Sequence, residues 1–139
     1  MRPDVAVAAE LRRQVIDRAG GVCEYCRMAP EYDEATFQID HVRPERLGGR
    51  TDLANLAYAC FPCNNAKGPN IAGIDPQTDA KTFLFDPRVD AWHDHFVLTG
   101  PFIEGRTDAG RATADLLRVN APHRITLRRQ LLDEGVRLA

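Results

Sequence analysis

The apolar positions of this chain fall into short blocks, each with its own period. Between Val7 and Ala19, Leu11, Val15 and Ile16 recur at helical spacing while Arg12, Arg13, Asp17 and Arg18 take the other face. The spacing predicts a helix that stops at Gly20-Gly21. Arg27 to Thr36, with Pro30 and several acids, reads as a loop. Phe37-Gln38-Ile39-Asp40-His41-Val42 then alternates for most of its length, as a short strand does. Pro44 to Asn55, carrying Gly48-Gly49, reads as a loop leading to a second strand, Leu56 to Ala59, which ends on Cys60. A short helix from Cys63 to Lys67 is limited by Gly68-Pro69.

Asn70 to Lys81, rich in Pro, Asp and Gly, reads as a connector. Trp92 to Leu98 and Phe102 to Arg106 predict a hairpin around Gly100-Pro101. Thr107 is placed to N-cap a helix reaching Val119, and Asn120 another running to about Leu138, with Ile125, Leu131, Leu132 and Val136 as its apolar stripe. The domain organisation expected is a core over 1–70 and an extension over 71–139 packed on it, as one compact domain.

Composition narrows the class. With 139 residues, 44% of them apolar and 27% charged, the chain is long enough for one modest core and shows no low-complexity tract. No stretch approaches the roughly 20 apolar residues that span a bilayer. The start of the chain is a poor signal peptide, so a cytoplasmic protein is expected. Eighteen Lys plus Arg against 20 Asp plus Glu argue against binding nucleic acid through bulk positive charge. A few well-placed cations still suffice for local contact.

All four cysteines fall in two pairs, Cys23-x2-Cys26 and Cys60-x2-Cys63. In a reducing compartment this spacing reads as a four-thiolate structural zinc site, each tight turn supplying two ligands. Two disulfides, or four unrelated buried cysteines, are the alternatives.

Within that frame stand polar residues that a zinc site does not require: Asp40 and His41 at the end of the first strand, Asn55 before the second, and Asn64 and Lys67 on the following helix. A strand and helix side by side are expected to bring Asp40, His41 and Asn64 into one cleft. Each type suits phosphodiester hydrolysis. Asp40 and Asn64 offer hard oxygen donors for Mg2+ or Mn2+, and His41 can take a proton from water near neutral pH. Asn55 suits holding a loop through backbone groups, and Lys67 with Arg43, Arg46 and Arg50 suits phosphate contact. Singly, each residue is as well explained by structure alone; the joint spacing gives the set its weight.

Cys23-x2-Cys26, Ile39-Asp40-His41, Gly48-Gly49, Asn55-Leu56 and Cys60-x2-Cys63-Asn64-x2-Lys67 together resemble the HNH nuclease family, in its zinc-stabilised, four-cysteine branch, over roughly residues 10 to 68. The resemblance implies an α+β fold built on a ββα-metal (His-Me finger) core, with the N-terminal helix and a C-terminal hairpin and two helices added. It also implies a metal-dependent endonuclease that nicks double-stranded DNA. In that picture His41 is the general base, Asp40 and Asn64 hold the catalytic divalent ion, Asn55 orients the loop, and Cys23, Cys26, Cys60 and Cys63 hold a separate zinc. Asn64 stands at the third signature position, where the family has His, making an H-N-N variant. An amide oxygen there favours Mg2+ or Mn2+ over softer ions. One such unit reaches one strand, so a double-strand cut needs a homodimer or two visits by a monomer.

Leu84-Phe85-Asp86-Pro87-Arg88, Trp92-x2-His95-Phe96 and Gly105-x-Thr107-x2-Gly110-Arg111-Ala112-Thr113 resemble the C-terminal extension of some bacterial HNH proteins, without implying a role. His93 and His95 are too few for a full metal-ligand set, and packing explains them better. Arg124, Arg128 and Arg129 are candidates for facing DNA, weighed against a merely solvated face. The runner-up function is a non-catalytic zinc-ribbon-like module that binds nucleic acid or protein, and a third reading is a thiol redox protein.

Overall fold

A computed structural model describes residues 7–139, in which helices and strands mix in two compact units. The first comprises residues 7–71 together with 86–89. Its opening helix, α1 (Ala9–Arg18), buries Val15 and packs on the second strand. It ends as expected. Gly20 and Gly21 both take positive φ, which only glycine adopts without strain, and the Gly21 amide returns to the Ile16 carbonyl at 3.0 Å.

Strands β1 (Phe37–His41) and β2 (Leu56–Cys60) pair antiparallel, with Phe37 opposite Cys60 and His41 opposite Leu56. Every residue of β2 is buried. Helix α2 (Phe61–Lys67) follows without a linker, two residues earlier than expected, because Pro62 supplies a preset φ in its first turn. It packs on both strands. Val15, Tyr25, Met28, Leu56, Ala57 and Tyr58 form the centre of this unit.

The second unit comprises residues 72–85 and 90–139. Here the connector expectation is corrected, since residues 72–83 contain a small antiparallel hairpin, β3 (Ala72–Ile74) with β4 (Lys81–Phe83). Its turn is organised by Asp75. The carboxylate accepts from the Gln77 amide and the Thr78 hydroxyl and takes both arms of Arg111, at 3.0 and 2.8 Å. The expected second hairpin is present as β5 (Phe96–Thr99) and β6 (Phe102–Gly105). Residues 92–95, expected as the start of its first strand, instead make the helical turn α3 (Trp92–His95). His95 there meets the Thr107 hydroxyl at 2.6 Å.

Helix α4 (Asp108–Leu116) is capped as predicted, Thr107 accepting from the Gly110 amide at 3.0 Å. The glycines of the Gly105-to-Gly110 stretch now have a reason. A Cβ on Gly110 would lie 2.1 Å from the His95 carbonyl oxygen, and one on Gly105 would lie 2.3 Å from the Arg111 amide nitrogen. Helix α5 (Pro122–Asp133) starts and stops inside its expected span. Asn120 does not cap it, because its side chain bridges both backbone groups of Ile103 in β6. Arg124 and Arg128, candidates for facing DNA, are buried, and Arg128 donates to the carbonyls of Pro101 and Val119; Arg129 is exposed. Among the described residues no helix is long and apolar enough to cross a membrane.

Arg111 holds the Asp75 carboxyl well below its ordinary pKa, through paired hydrogen bonds. A depressed carboxyl favours folding above the unfolded pKa of about 4 and loses that contribution as pH falls through the folded value. Asp75→Asn is therefore expected to lower stability at pH 7 while flattening the acid limb of the stability curve below about pH 4. Urea midpoints measured between pH 2.5 and 7 check both features.

Candidate active site and metal centre

The first cysteine pair sits on a tight turn hooked to β2. Cys23 and Met28 close it (2.9 Å), Arg27 takes positive φ with its amide on the Cys23 carbonyl, and the Cys26 amide points at the Cys23 sulfur, 3.5 Å away. Glu24, between the cysteines, anchors the turn. Its amide donates to the Tyr58 carbonyl at 2.9 Å and its carboxylate accepts from the Tyr58 amide at 2.8 Å, as an extra strand would. The second pair comes from the end of β2 and the first turn of α2.

The four sulfurs converge within 4.8 Å of one another, all buried. Burial pushes the Cys23 thiol up, helped by Cys26 and Cys60, and the neighbouring thiols do the same to Cys63. Four buried thiols crowded together are costly unless a cation draws their protons off. A tetrahedral zinc with sulfurs at about 2.3 Å implies sulfur-to-sulfur edges of about 3.8 Å. Cys26 and Cys60 stand 3.7 Å apart. The donor chemistry and the spacing both fit zinc.

Asp40 and His41 are consecutive on β1 and so belong to opposite faces. On the face toward α2 the register is simple: residues two apart on the strand meet residues three apart on the helix. Gln38 accepts from Asn64 at 2.5 Å, and Asp40 pairs with Lys67 at 3.2 Å. Asp40 also accepts from the Tyr25 hydroxyl at 2.7 Å. Lys67 is 1% exposed and donates further to the carbonyls of His41 and Val42. Burial raises the Asp40 carboxyl pKa, partly offset by Lys67 and by the Tyr25 hydroxyl.

Two expectations are corrected here. Lys67, expected to meet phosphate, is turned inward, because Asp40 and two strand-end carbonyls offer its ammonium a complete set of acceptors. Asp40, His41 and Asn64 do not share one set of contacts. Asp40 faces Tyr25 and Lys67, Asn64 faces Gln38, and the His41 ring meets Thr51, with Nε2 to Oγ1 at 2.9 Å. A divalent ion on Asp40 and Asn64 does not fit this arrangement, since Asp40 is buried and its charge is already met by Lys67.

Asn55 does what its position promised. Its side chain accepts from the Arg43 amide and donates to the carbonyls of Arg43 and Arg50, each at 2.9 Å, closing the loop across its base. Gly49 makes that closure possible, as a Cβ there would lie 1.8 Å from the Arg43 carbonyl oxygen. Arg43, Arg46 and Arg50 project from this loop into solvent. Sequence reasoning missed Tyr25, Gln38 and Thr51. Only alternation on β1 pointed to Gln38, and nothing local marked the other two.

Residues 23–70 match the family model described as HNH endonuclease. The chain is also similar to the Septu protein PtuB of Bacillus thuringiensis, 21% identical over 124 residues, covering 88% of this chain and 46% of that protein. It thus spans about half the length of that curated relative. No solved structure gives a significant match. All four cysteines, the Asp40-His41 pair, Asn55 and Asn64 lie inside the stretch, residues 23–70, that matches the HNH endonuclease family model.

Proposed function

We propose that this chain is an endonuclease that hydrolyses phosphodiester bonds of DNA, one unit nicking one strand, with His41 as the general base. The observation that carries the reading is His41 itself: a half-buried imidazole, its ring fixed on one side, at the mouth of a closed loop that bears three exposed arginines. An imidazole is the side chain suited to take a proton from water near neutral pH. Arg43, Arg46 and Arg50 contact the phosphates on either side of the scissile bond, which suits binding that is local rather than driven by net charge. Asn55 holds the loop that carries them.

Zinc on Cys23, Cys26, Cys60 and Cys63 is structural in this reading, fixing how β2, α2 and the first turn lie together. The family resemblance implies a second, divalent ion of the Mg2+ or Mn2+ type. With Asp40 committed to Lys67, that ion has no ligand set among these residues and takes no step in the reading.

A supercoiled plasmid incubated with Mg2+ or Mn2+ tests the reading. Wild type is expected to yield open circles before linear product, EDTA to stop the reaction by stripping the structural zinc, and His41→Ala to slow it by about 10²- to 10⁴-fold, the usual contribution of a general base. An intact plasmid with wild type, or equal cutting by the His41 variant, would sink the enzyme and leave a zinc-stabilised binding module.

A further inference from the structure

We propose that Thr51 is the positioning residue of the nuclease site, its hydroxyl holding the proton-bearing Nε2 of His41 so that Nδ1 is left to take the proton of the attacking water. The inference rests on the reading of His41 as general base and deepens it.

The geometry starts with the loop. The His41 ring is met by Thr51, ten residues further along the chain, with Nε2 and Oγ1 2.9 Å apart. That meeting is no accident of two exposed side chains. Asn55 ties Arg43, two residues after His41, to Arg50, one residue before Thr51, through three hydrogen bonds. The Val42 amide donates to the Asn55 carbonyl at 2.9 Å, extending the β1–β2 pairing by one step. Gly49 lets the two sides of the loop touch backbone to backbone. Loop closure thus delivers Thr51 to His41 as a fixed consequence. Threonine is β-branched and stiff about χ1, so its hydroxyl direction is well defined once the backbone is.

Chemistry then selects the direction of the bond. A neutral imidazole carries one N–H and one lone pair, and the partner of one nitrogen decides the role of the other. Were the Thr51 hydroxyl to donate to Nε2, the ring proton would sit on Nδ1, and neither nitrogen could serve a water on the open side. With Nε2–H donating to Thr51 Oγ1, Nδ1 keeps its lone pair. On accepting a proton the ring becomes imidazolium, both nitrogens donate, and the Thr51 contact persists as a stronger, charge-assisted bond.

The test uses the full-length, zinc-loaded chain and two variants. Thr51→Val keeps the shape and removes the hydroxyl, and Thr51→Ser keeps the hydroxyl. Long-range proton–nitrogen NMR of the histidine rings, with the His41 signals identified by their loss in His41→Ala, reads the tautomer without any need for activity. The expected result is an Nε2–H tautomer for His41 in wild type and Thr51→Ser, and a mixture in Thr51→Val. Plasmid nicking by Thr51→Val is expected to fall about tenfold in kcat with little change in KM, and its pH profile to shift, while Thr51→Ser stays within about twofold. An Nδ1–H tautomer in wild type, or a spectrum and pH profile unchanged in Thr51→Val, overturns the positioning role while leaving the nuclease reading standing. Absence of nicking by wild type overturns the nuclease reading instead, and with it any catalytic purpose for the contact.

Discussion

Replacing Cys60 with serine, or removing the metal with a strong chelator, is expected to unfold residues 7–71 cooperatively. Cys60 is wholly buried at the end of β2, and the other three sulfurs lie within 4.8 Å. Of the four ligands, Cys23 and Cys26 fix the turn that hooks onto Tyr58, and Cys60 and Cys63 fix the start of α2. The sheet these segments attach to is small, since β1 and β2 are five residues each and form a sheet of two strands. Isolated two-stranded sheets are marginal in water. Structural zinc contributes about 10–16 kcal/mol in small metal-folded domains, comparable with the whole stability of a protein this size. Metal analysis is expected to find one zinc per chain, and a circular dichroism melt to lose the first unit's share of its transition with EDTA. A zinc-free preparation with an unchanged melt would restore the reading of four buried, unrelated cysteines.

Lys67→Met is expected to cost about 3–5 kcal/mol of stability, the usual penalty for stripping the partner from a buried charge. The two side chains are 2% and 5% exposed, so neither has water to fall back on. Adding Asp40→Asn should recover much of the loss, because the orphaned carboxylate disappears along with its partner. The pH dependence has a definite sign. Burial already raises the Asp40 carboxyl above its ordinary pKa, and losing Lys67 raises it further. A group with a raised folded pKa binds its proton more readily folded than unfolded, so the single variant should regain stability as pH falls from 7 toward about 4. Urea unfolding of the two single variants and the double variant at pH 5 and pH 7 measures both effects. A Lys67→Met variant as stable as wild type would mean that the ammonium is dispensable to the fold.

How much of the fold and site is legible along the chain varies with what each residue does. Periodicity places α1, β1 and β2 to within two residues, because each has one face committed to a core. The cysteine pairs mark the metal centre, since two Cys-x2-Cys turns supply the four thiolates that one tetrahedral ion takes. Beyond that, local signals mislead in a consistent way. Lys67, Arg124 and Arg128 carry charges that read as solvated, yet all three are buried, and Lys67 and Arg128 meet carbonyls of distant segments. Asn120 reads as a helix cap, and a strand 17 residues away claims its amide. The β3–β4 hairpin is invisible because its strands are three residues long and half exposed, held at the turn by Asp75 and Arg111. His41 and Asn55 stand out by type and spacing, whereas Thr51 depends on loop closure and has no signature along the chain.

Glu24 has one more partner, Arg88, which reaches it from the short stretch 86–89 that belongs with the first unit although 14 residues of the second precede it. The chain therefore leaves its first unit, returns for four residues and leaves again. No single cut separates the two units. A fragment ending at Ile71 would strand a buried Glu24 carboxylate, whose pKa burial already raises, without its guanidinium. Any insertion between Ile71 and Asp86 is therefore tethered to the first unit at both ends.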